Sequence, residues 1–374
     1  VHICEEKPDH INEVYVVTHR IDFEANRAYA RIYVNADLSG DFAQEYSIRI
    51  EGRCGESFFC KETTLWHNTY AFPFEIDDCC LWYPRNAGQS SLYDTKVTLL
   101  HRGKICDTYC LKIGVRTVEL ERADDTKGTD GEFVFRINGK KIFCLGTNWV
   151  PLDAFHSQDP KRLPQALELL SDVGCNMVRC WGGNVYESDE FFDYCDAHGI
   201  LVWQDFAMGC AVYPQDDCFA KKMEQEAVYQ IKRLRNHPSL VLWAGDNEGD
   251  QVFYDGIGVR RDPNRNRLTR EILRRAVEMH DYSRPYLPSS PFFSEAVFRR
   301  EAELPEMHLW GPRDYFKGNF YKNTFCHFAS ETGYHGFPAV SSLKRFLRKP
   351  EIIFEESGAP TQEYLAHAAS MEPS

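Results

Sequence analysis

No apolar run in this 374-residue chain approaches the length needed to cross a bilayer. Positive charge is in deficit. Lys and Arg number 43 against 56 Asp and Glu, a formal charge of −13 with a pI near 5.5. That balance argues against nucleic acid or an anionic membrane surface as partner. No GxGxxG follows the first strand of the α/β part, which weakens a dinucleotide-binding reading. The thirteen His residues form no HExxH or comparable constellation, so neither a metal nor another cofactor is expected. Cysteine is plentiful at fourteen but unpatterned. Cys79-Cys80 and Cys106/Cys110 are the only close groups, and no CxxC pair recurs at zinc-binding spacing. Cys60, Cys144 and Cys180 sit in strand-like apolar runs, where a free Cys acts as a small hydrophobe. Reduced core thiols, and with them a cytoplasmic location, are the favoured reading, with secretion left open. The opening "VHICEEKPDH" has no initiator Met and no signal-like segment, so the natural start is expected upstream.

What is present suits two domains: the length exceeds one small core, and 43% of residues are apolar and 14% aromatic. Residues 1–122 read as all-β. "EVYVVTHRIDF", "RAYARIYVNADL", "YSIRIEGR", "SFFCKET", "TKVTLLHRG" and "CLKIGVRTVELER" are short, partly alternating runs between polar turns, the pattern of an antiparallel, immunoglobulin-like sandwich. After the polar stretch "RADDTKGTDG" the texture changes. From residue 131 a hairpin is expected around Asn138-Gly139, a type I′ turn pair. Strands and helices then alternate. "IFCLGTNW", "NMVRCWGG", "LVWQDF", "LVLWAGDNE", "PYLPSS", "MHLWGP" and "TFCHFASETG" make seven strands from Phe143 to Glu331. Between them lie helical patterns such as "KRLPQALELLSDVG" and "FAKKMEQEAVYQIKRLRN". Near-continuous apolar strands joined by amphipathic helices indicate a parallel α/β domain, either a (β/α)8 barrel or a doubly wound sheet. No eighth strand is evident before the end; "EIIFEESGAPTQEYLAHAASMEPS" offers only "IIF".

The segment "LVLWAGDNEGD" drives an apolar strand into Asn247 and Glu248, although a buried carboxylate is costly unless compensated. In a barrel the strand C-termini carry the chemistry. Glu248 then ends the fourth strand and Glu331 the seventh. Either alone is ordinarily a strand-end carboxylate paired with an Arg or left in a loop. Together, each after an apolar run and amid aromatics, they fit the two acids of glycoside hydrolysis. Arg179 and Trp181 follow the second strand, Asp205 the third, His308 and Trp310 the sixth. Trp faces stack on sugar rings, and Arg, Asn and carboxylates bind hydroxyls. The bland alternatives are core packing for each Trp and a structural ion pair for Arg179.

"RCWGGNVYESDEFFDYCDAHGILVWQDF", "HPSLVLWAGDNE", "HLWGP" and "HFASETG" resemble glycoside hydrolase family 2, its β-mannosidases above all. "LWYPRNAGQSSLYDTKVTL" and "GVRTVEL" are similar to that family's sandwich and its junction with the barrel. The resemblance runs from about Leu81 to Pro338. It implies a (β/α)8 barrel over residues 131–374, incomplete at its C-terminus, and a retaining double displacement with carboxyls about 5–5.5 Å apart. Glu248 would be the acid/base, protonated at rest through burial and the charge of Glu331, and Glu331 the nucleophile. Asn247 would hold the sugar 2-hydroxyl, Trp181 and Trp310 would line the subsite, and Arg179 would lie beneath the nucleophile. Asp246 departs from the neutral residue common at that position. The family's N-terminal jelly-roll is absent, so the chain is expected to be an internal portion of a larger enzyme. The resemblance implies an exo-acting β-mannosidase that takes oligosaccharides and needs no cofactor. Another β-sugar, a glucosaminide or galactoside, and a catalytically silent carbohydrate-binding barrel remain as alternatives.

Overall fold

The computed structural model describes residues 7–124, 131–255, 260–311, 318–333, 339–348 and 354–367. The chain forms two compact units, one of residues 1–307 with 326–330, the other of residues 308–325 with 331–374.

The larger unit begins with a seven-stranded sandwich. One sheet holds β1 (His10–Asp22), β2 (Arg27–Asp37) and β5 (Thr69–Asp77). The other runs in the order β4 (Ser57–Thr64), β3 (Tyr46–Cys54), β6 (Tyr93–His101), β7 (Lys104–Ile113). All pairings are antiparallel, with Ile32 opposite both Val16 and Phe72. Strict alternation on β2 turns Ala28, Ala30, Ile32, Val34 and Ala36 inward, where they share a core with Ile48, Ile50, Val97 and Leu99. Cys60 does not belong to it. It was expected among core thiols but falls on the outward phase of β4 and is exposed, whereas Cys180 is buried and Cys144 half-buried. All thirteen described cysteines are thiols outside any disulfide.

A three-stranded sheet follows: β8 (Val118–Ala123), β9 (Glu132–Ile137) and β10 (Lys140–Ile142). Asn138 and Gly139 both take positive φ, 52° and 75°, as a type I′ turn requires. Asn138 is also buried, accepting from the Thr117 amide and donating to the Trp82 carbonyl. The expected first barrel strand begins late. Ile142 closes the hairpin, Phe143 is 81% exposed, and the strand proper is β11 (Gly146–Trp149).

Next come β12 (Met177–Cys180), β13 (Leu201–Asp205), β14 (Leu240–Ala244) and β15 (Tyr286–Leu287), parallel to β11 in strict chain order. A doubly wound sheet would reverse its order at a switch point; sequential order is that of a barrel. The crossovers are α1 (Asp159–Asp172), α2 (Asp189–His198) and α3 (Asp217–Leu234). After β14 the chain forms a short α4 (Gly249–Asp255), then a π-helical turn (Leu268–Ile272) that runs into α5 (Leu273–His280). Asp216 caps α3 by accepting from the Cys218 and Phe219 amides, and Gly199, at φ 65°, ends α2.

β12, β13 and β14 are buried on both faces, as their near-continuous apolar sequences require. Val178, Cys180, Val202 and Trp243 pack under helix residues Leu163, Phe191, Ile231 and Leu273. Met177, Leu201, Trp203 and Leu242 pack instead with Phe133, Phe135 and Trp82. Two buried side chains tie the sandwich end to this domain. Trp82 donates from Nε1 to the Asp196 carbonyl at 2.8 Å, and Arg116 donates to the Pro238 and Leu240 carbonyls. Burial drives the Arg116 pKa down to about 9, so its two carbonyl partners are what keep it in place.

The last two strands, β16 (Glu306–Leu309) and β17 (Phe328–Thr332), pair as a two-stranded sheet, which completes the seven expected strands. Among the described residues the sheets do not close into a full barrel. The helical pattern "SSLKRFLRK" gives a single turn, Val340–Leu343. Of "IIF", only Phe354 is among the described residues.

Candidate active site

In the larger unit, the strand C-termini carry a network centred on Arg179. Its side chain is 4% exposed and that of Asp205 0%. Nη2 donates to Asp205 Oδ2 at 2.7 Å and to Asn247 Oδ1 at 2.8 Å, and Nη1 donates to Asn148 Oδ1 at 3.0 Å. Asp205 also accepts from Trp203 Nε1 at 2.8 Å and from the Gly182 amide at 3.0 Å. Burial raises the Asp205 pKa, and Arg179 opposes that shift. Every strong acceptor direction of this carboxylate is therefore used inside the protein. Asp205, read from sequence as a ligand contact, holds Arg179 instead.

The loop after β12 explains the glycines of "WGG". A Cβ on Gly182 would lie 2.2 Å from the Met208 carbonyl oxygen, and one on Gly183 would lie 2.1 Å from the Trp181 ring. Only bare backbone lets the chain pass so close to the next strand end while the half-buried indole folds back over it.

At the end of β14 the backbone turns sharply. Asn247 donates its amide to the Met208 carbonyl at 3.0 Å, and Glu248 donates its own to the Ser290 carbonyl at 2.8 Å. Glu248 takes φ 58°, the left-handed region, and α4 starts at the next residue. A non-glycine residue held there costs about 1–3 kcal/mol, a strain that gathers at functional sites. Three anchors offset it: Arg179 on the Asn247 side-chain carbonyl, Cys210 Sγ at 3.2 Å from Asn247 Nδ2, and the same sulfur at 3.3 Å from Glu248 Oε2. Glu248 is half-buried.

Behind this corner lie two more buried acids. Asp246 accepts from Ser289 Oγ and from the Gly249 amide. Asp250 is gripped by both terminal nitrogens of Arg270, at 2.9 and 2.6 Å. Burial first, and then the charge of Asp250, push Asp246 up to about 7.

In the smaller unit, Glu331 of β17 is 8% exposed. Trp310 Nε1 donates to its Oε2 at 2.9 Å, and His308 Nδ1 lies 3.4 Å from the same oxygen. The His308 side chain is 2% exposed, whereas Trp310 is 51% exposed. Gly333 makes room for the Trp310 ring, since a Cβ there would come within 2.6 Å of it.

The expected residues thus fall into two built groups, Arg179, Asp205, Asn247 and Glu248 with nearby Trp181, and Glu331 with His308 and Trp310. Three contributors had not been singled out. Asn148 is embedded in "GTNW", Cys210 in an irregular loop, and Glu306 collects hydrogen bonds from the Ser290 and Ser330 hydroxyls. No periodicity marks any of them.

With known proteins, the match is consistent along the chain. Residues 10–116 match the model described as glycosyl hydrolases family 2, and residues 129–286 match the TIM barrel domain of the same family. A β-mannosidase B of Aspergillus niger is 32% identical over 86% of this chain and 39% of its own length. A β-mannosidase of Capra hircus is 31% identical over 77% of this chain and 35% of its own. The solved β-D-mannosidase of Dictyoglomus thermophilum superposes with a TM-score of 0.78 at 30% identity, over 94% of this chain and 43% of that one. This chain therefore spans about two-fifths of the length of such relatives.

Proposed function

Because this chain belongs to family 2 of the glycosyl hydrolases, we propose that it carries the reacting groups of an exo-acting, retaining β-mannosidase. The reading rests on one observation above all: Glu248 is held in a strained left-handed corner, directly after an Asn247 whose carbonyl is pinned by a buried Arg179. Strain of that kind persists where a side chain must point in one direction. The similarity to β-mannosidases at 30–32% identity supports the choice of sugar.

In this reading Glu331 attacks the anomeric carbon, and the bond to the leaving oxygen breaks as Glu248 gives that oxygen its proton. Glu248, now a carboxylate, takes a proton from water. The water oxygen displaces Glu331 and releases mannose with its configuration kept. The Trp310 and His308 contacts hold one Glu331 oxygen in place, which orients the carboxylate for attack. With its carbonyl committed to Arg179 and one amide N–H directed at Cys210 Sγ, Asn247 has its other amide N–H to offer a sugar 2-hydroxyl. Trp181 and Trp310 supply apolar faces for the ring, and Asp205 acts through Arg179. Terminal β-linked mannose on an oligosaccharide is the substrate.

The test uses the full-length protein and a panel of 4-nitrophenyl β-glycosides. The mannoside should turn over fastest and release β-mannose first. A faster glucosaminide or galactoside would replace the sugar but keep the chemistry. Glu331→Ala that keeps near-normal turnover would end the enzyme reading.

A further inference from the structure

Away from the strand ends, three metal-ligating atoms meet on the sandwich. A carboxylate oxygen of Asp9, a ring nitrogen of His101 and Sγ of Cys106 all lie within 4.8 Å of one another. Asp9 stands just before β1 in one sheet, while His101 and Cys106 belong to the β6–β7 hairpin of the other. The hairpin is built to bring its two ligands together. His101 pairs with Lys104 and Leu100 with Ile105, but Leu99 pairs with Asp107, so Cys106 is the extra residue of a β-bulge. A bulge takes its residue out of the strand's alternation and re-aims the side chain.

Groups outside the cluster hold two of these ligands. Nε2 of His101 lies 3.2 Å from Glu45 Oε2, and the ring stacks on Tyr46 with centroids 4.2 Å apart. A metal-holding imidazole is oriented by such a carboxylate at its other nitrogen. Oδ1 of Asp9 accepts from the Ser39 amide at 2.7 Å and from the Tyr46 hydroxyl at 2.8 Å. Burial works against the Asp9 charge, but these hydrogen bonds hold its carboxyl below the usual range. Metal binding must release the Cys106 thiol proton, since the thiolate is the ligand. One sulfur, one nitrogen and one oxygen form a donor set suited to zinc, not to calcium or magnesium, which take oxygen.

We propose that Asp9, His101 and Cys106 form a zinc site that joins the two sheets of the sandwich, with water completing a tetrahedral shell. The reading is independent of the glycosidase chemistry, so its test needs no substrate. Full-length protein is stripped with chelator and titrated with zinc, and separately with cobalt(II) as a coloured probe. The wild type should take up zinc at this site, show a sulfur-to-cobalt charge-transfer band and melt at a higher temperature with zinc. Cys106→Ser should lose the band and the zinc-dependent rise in melting temperature. Glu45→Gln, which keeps all three ligands, should weaken zinc binding by about 10- to 100-fold; it carries the test should Cys106→Ser fold poorly. His237→Gln, in a separate Asp193, Asp196 and His237 group, should leave the band in place. A band that survives Cys106→Ser, or zinc affinity equal in wild type and Glu45→Gln, overturns the proposal.

Discussion

Removing the Asp205 carboxylate gives a quantitative test of the network under the acid corner. Asp205→Ala deprives Arg179, whose side chain is 4% exposed, of its carboxylate while its bonds to the Asn148 and Asn247 carbonyls remain. Breaking a buried ion pair from one side costs about 3–5 kcal/mol. The Trp203 indole N–H and the Gly182 amide also lose their acceptor, at about 1–3 kcal/mol for each buried donor left unmade. Water entering the vacated space offsets part of this, so the expected loss is about 3–6 kcal/mol in the transition that unfolds the barrel. The assay is urea denaturation followed by Trp fluorescence, with Arg179→Met and the double variant completing a cycle. Removing both charges should restore at least about 2 kcal/mol relative to Asp205→Ala alone, because replacing a buried pair by apolar groups is often close to neutral. A single-variant loss under 1 kcal/mol, on the order of an exposed pair, or strictly additive losses in the double variant, would refute the reasoning.

Other expectations follow from the same corner. Asp246 titrates near 7 in the folded chain and near about 3.9 when unfolded. The folded state therefore binds the extra proton between those values. The stability this site contributes is full below about pH 4 and is lost as the pH rises through about 7. Asp246→Asn should flatten that loss, read as urea midpoints from pH 5 to 8; parallel profiles would contradict it. Cys210 is exposed, with its sulfur 3.3 Å from Glu248 Oε2. Alkylation with iodoacetate should lower turnover at least about tenfold through charge repulsion, while Cys210→Ala should show no further loss on treatment. Equal inactivation of both proteins would place the sensitive thiol elsewhere. Gly182→Ala drives a methyl to within 2.2 Å of the Met208 carbonyl. It should destabilise by about 1–3 kcal/mol as an overpacked site and reduce turnover; a neutral thermal melt would show that the loop can yield.

Much of this was legible in the amino-acid order. Parallel strands buried on both faces leave near-continuous apolar runs, so β12, β13 and β14 stand out, and the Asn138-Gly139 turn declares itself by the residues a positive φ needs. Glu248 was marked by its place after such a run, whereas Glu331 lies in the partly exposed β17. What escaped reading lacks a periodic signal. β11 begins at Gly146 because the hairpin claims the apolar residues up to Ile142. The π-helical turn at Leu268–Ile272 and the short α4 answer to tertiary packing, not to propensity. The Arg179–Asp205 pair joins residues 26 positions apart on neighbouring strands, and no local pattern says which strand-end charge faces inward to a partner and which faces a ligand. The outward phase of Cys60 was visible in principle. Counting alternation along β4 from Phe59, which is 4% exposed, would have found it.

The central claim is that Glu331 forms a bond to the sugar. It is tested most directly by treating the full-length enzyme with a 2-deoxy-2-fluoro-β-mannosyl fluoride and mapping the peptides by mass spectrometry. The account predicts one fluoromannosyl group on the peptide carrying Glu331, with none in Glu331→Ala. A label on another carboxylate, or an unlabelled enzyme that still hydrolyses mannosides with inversion, would contradict it.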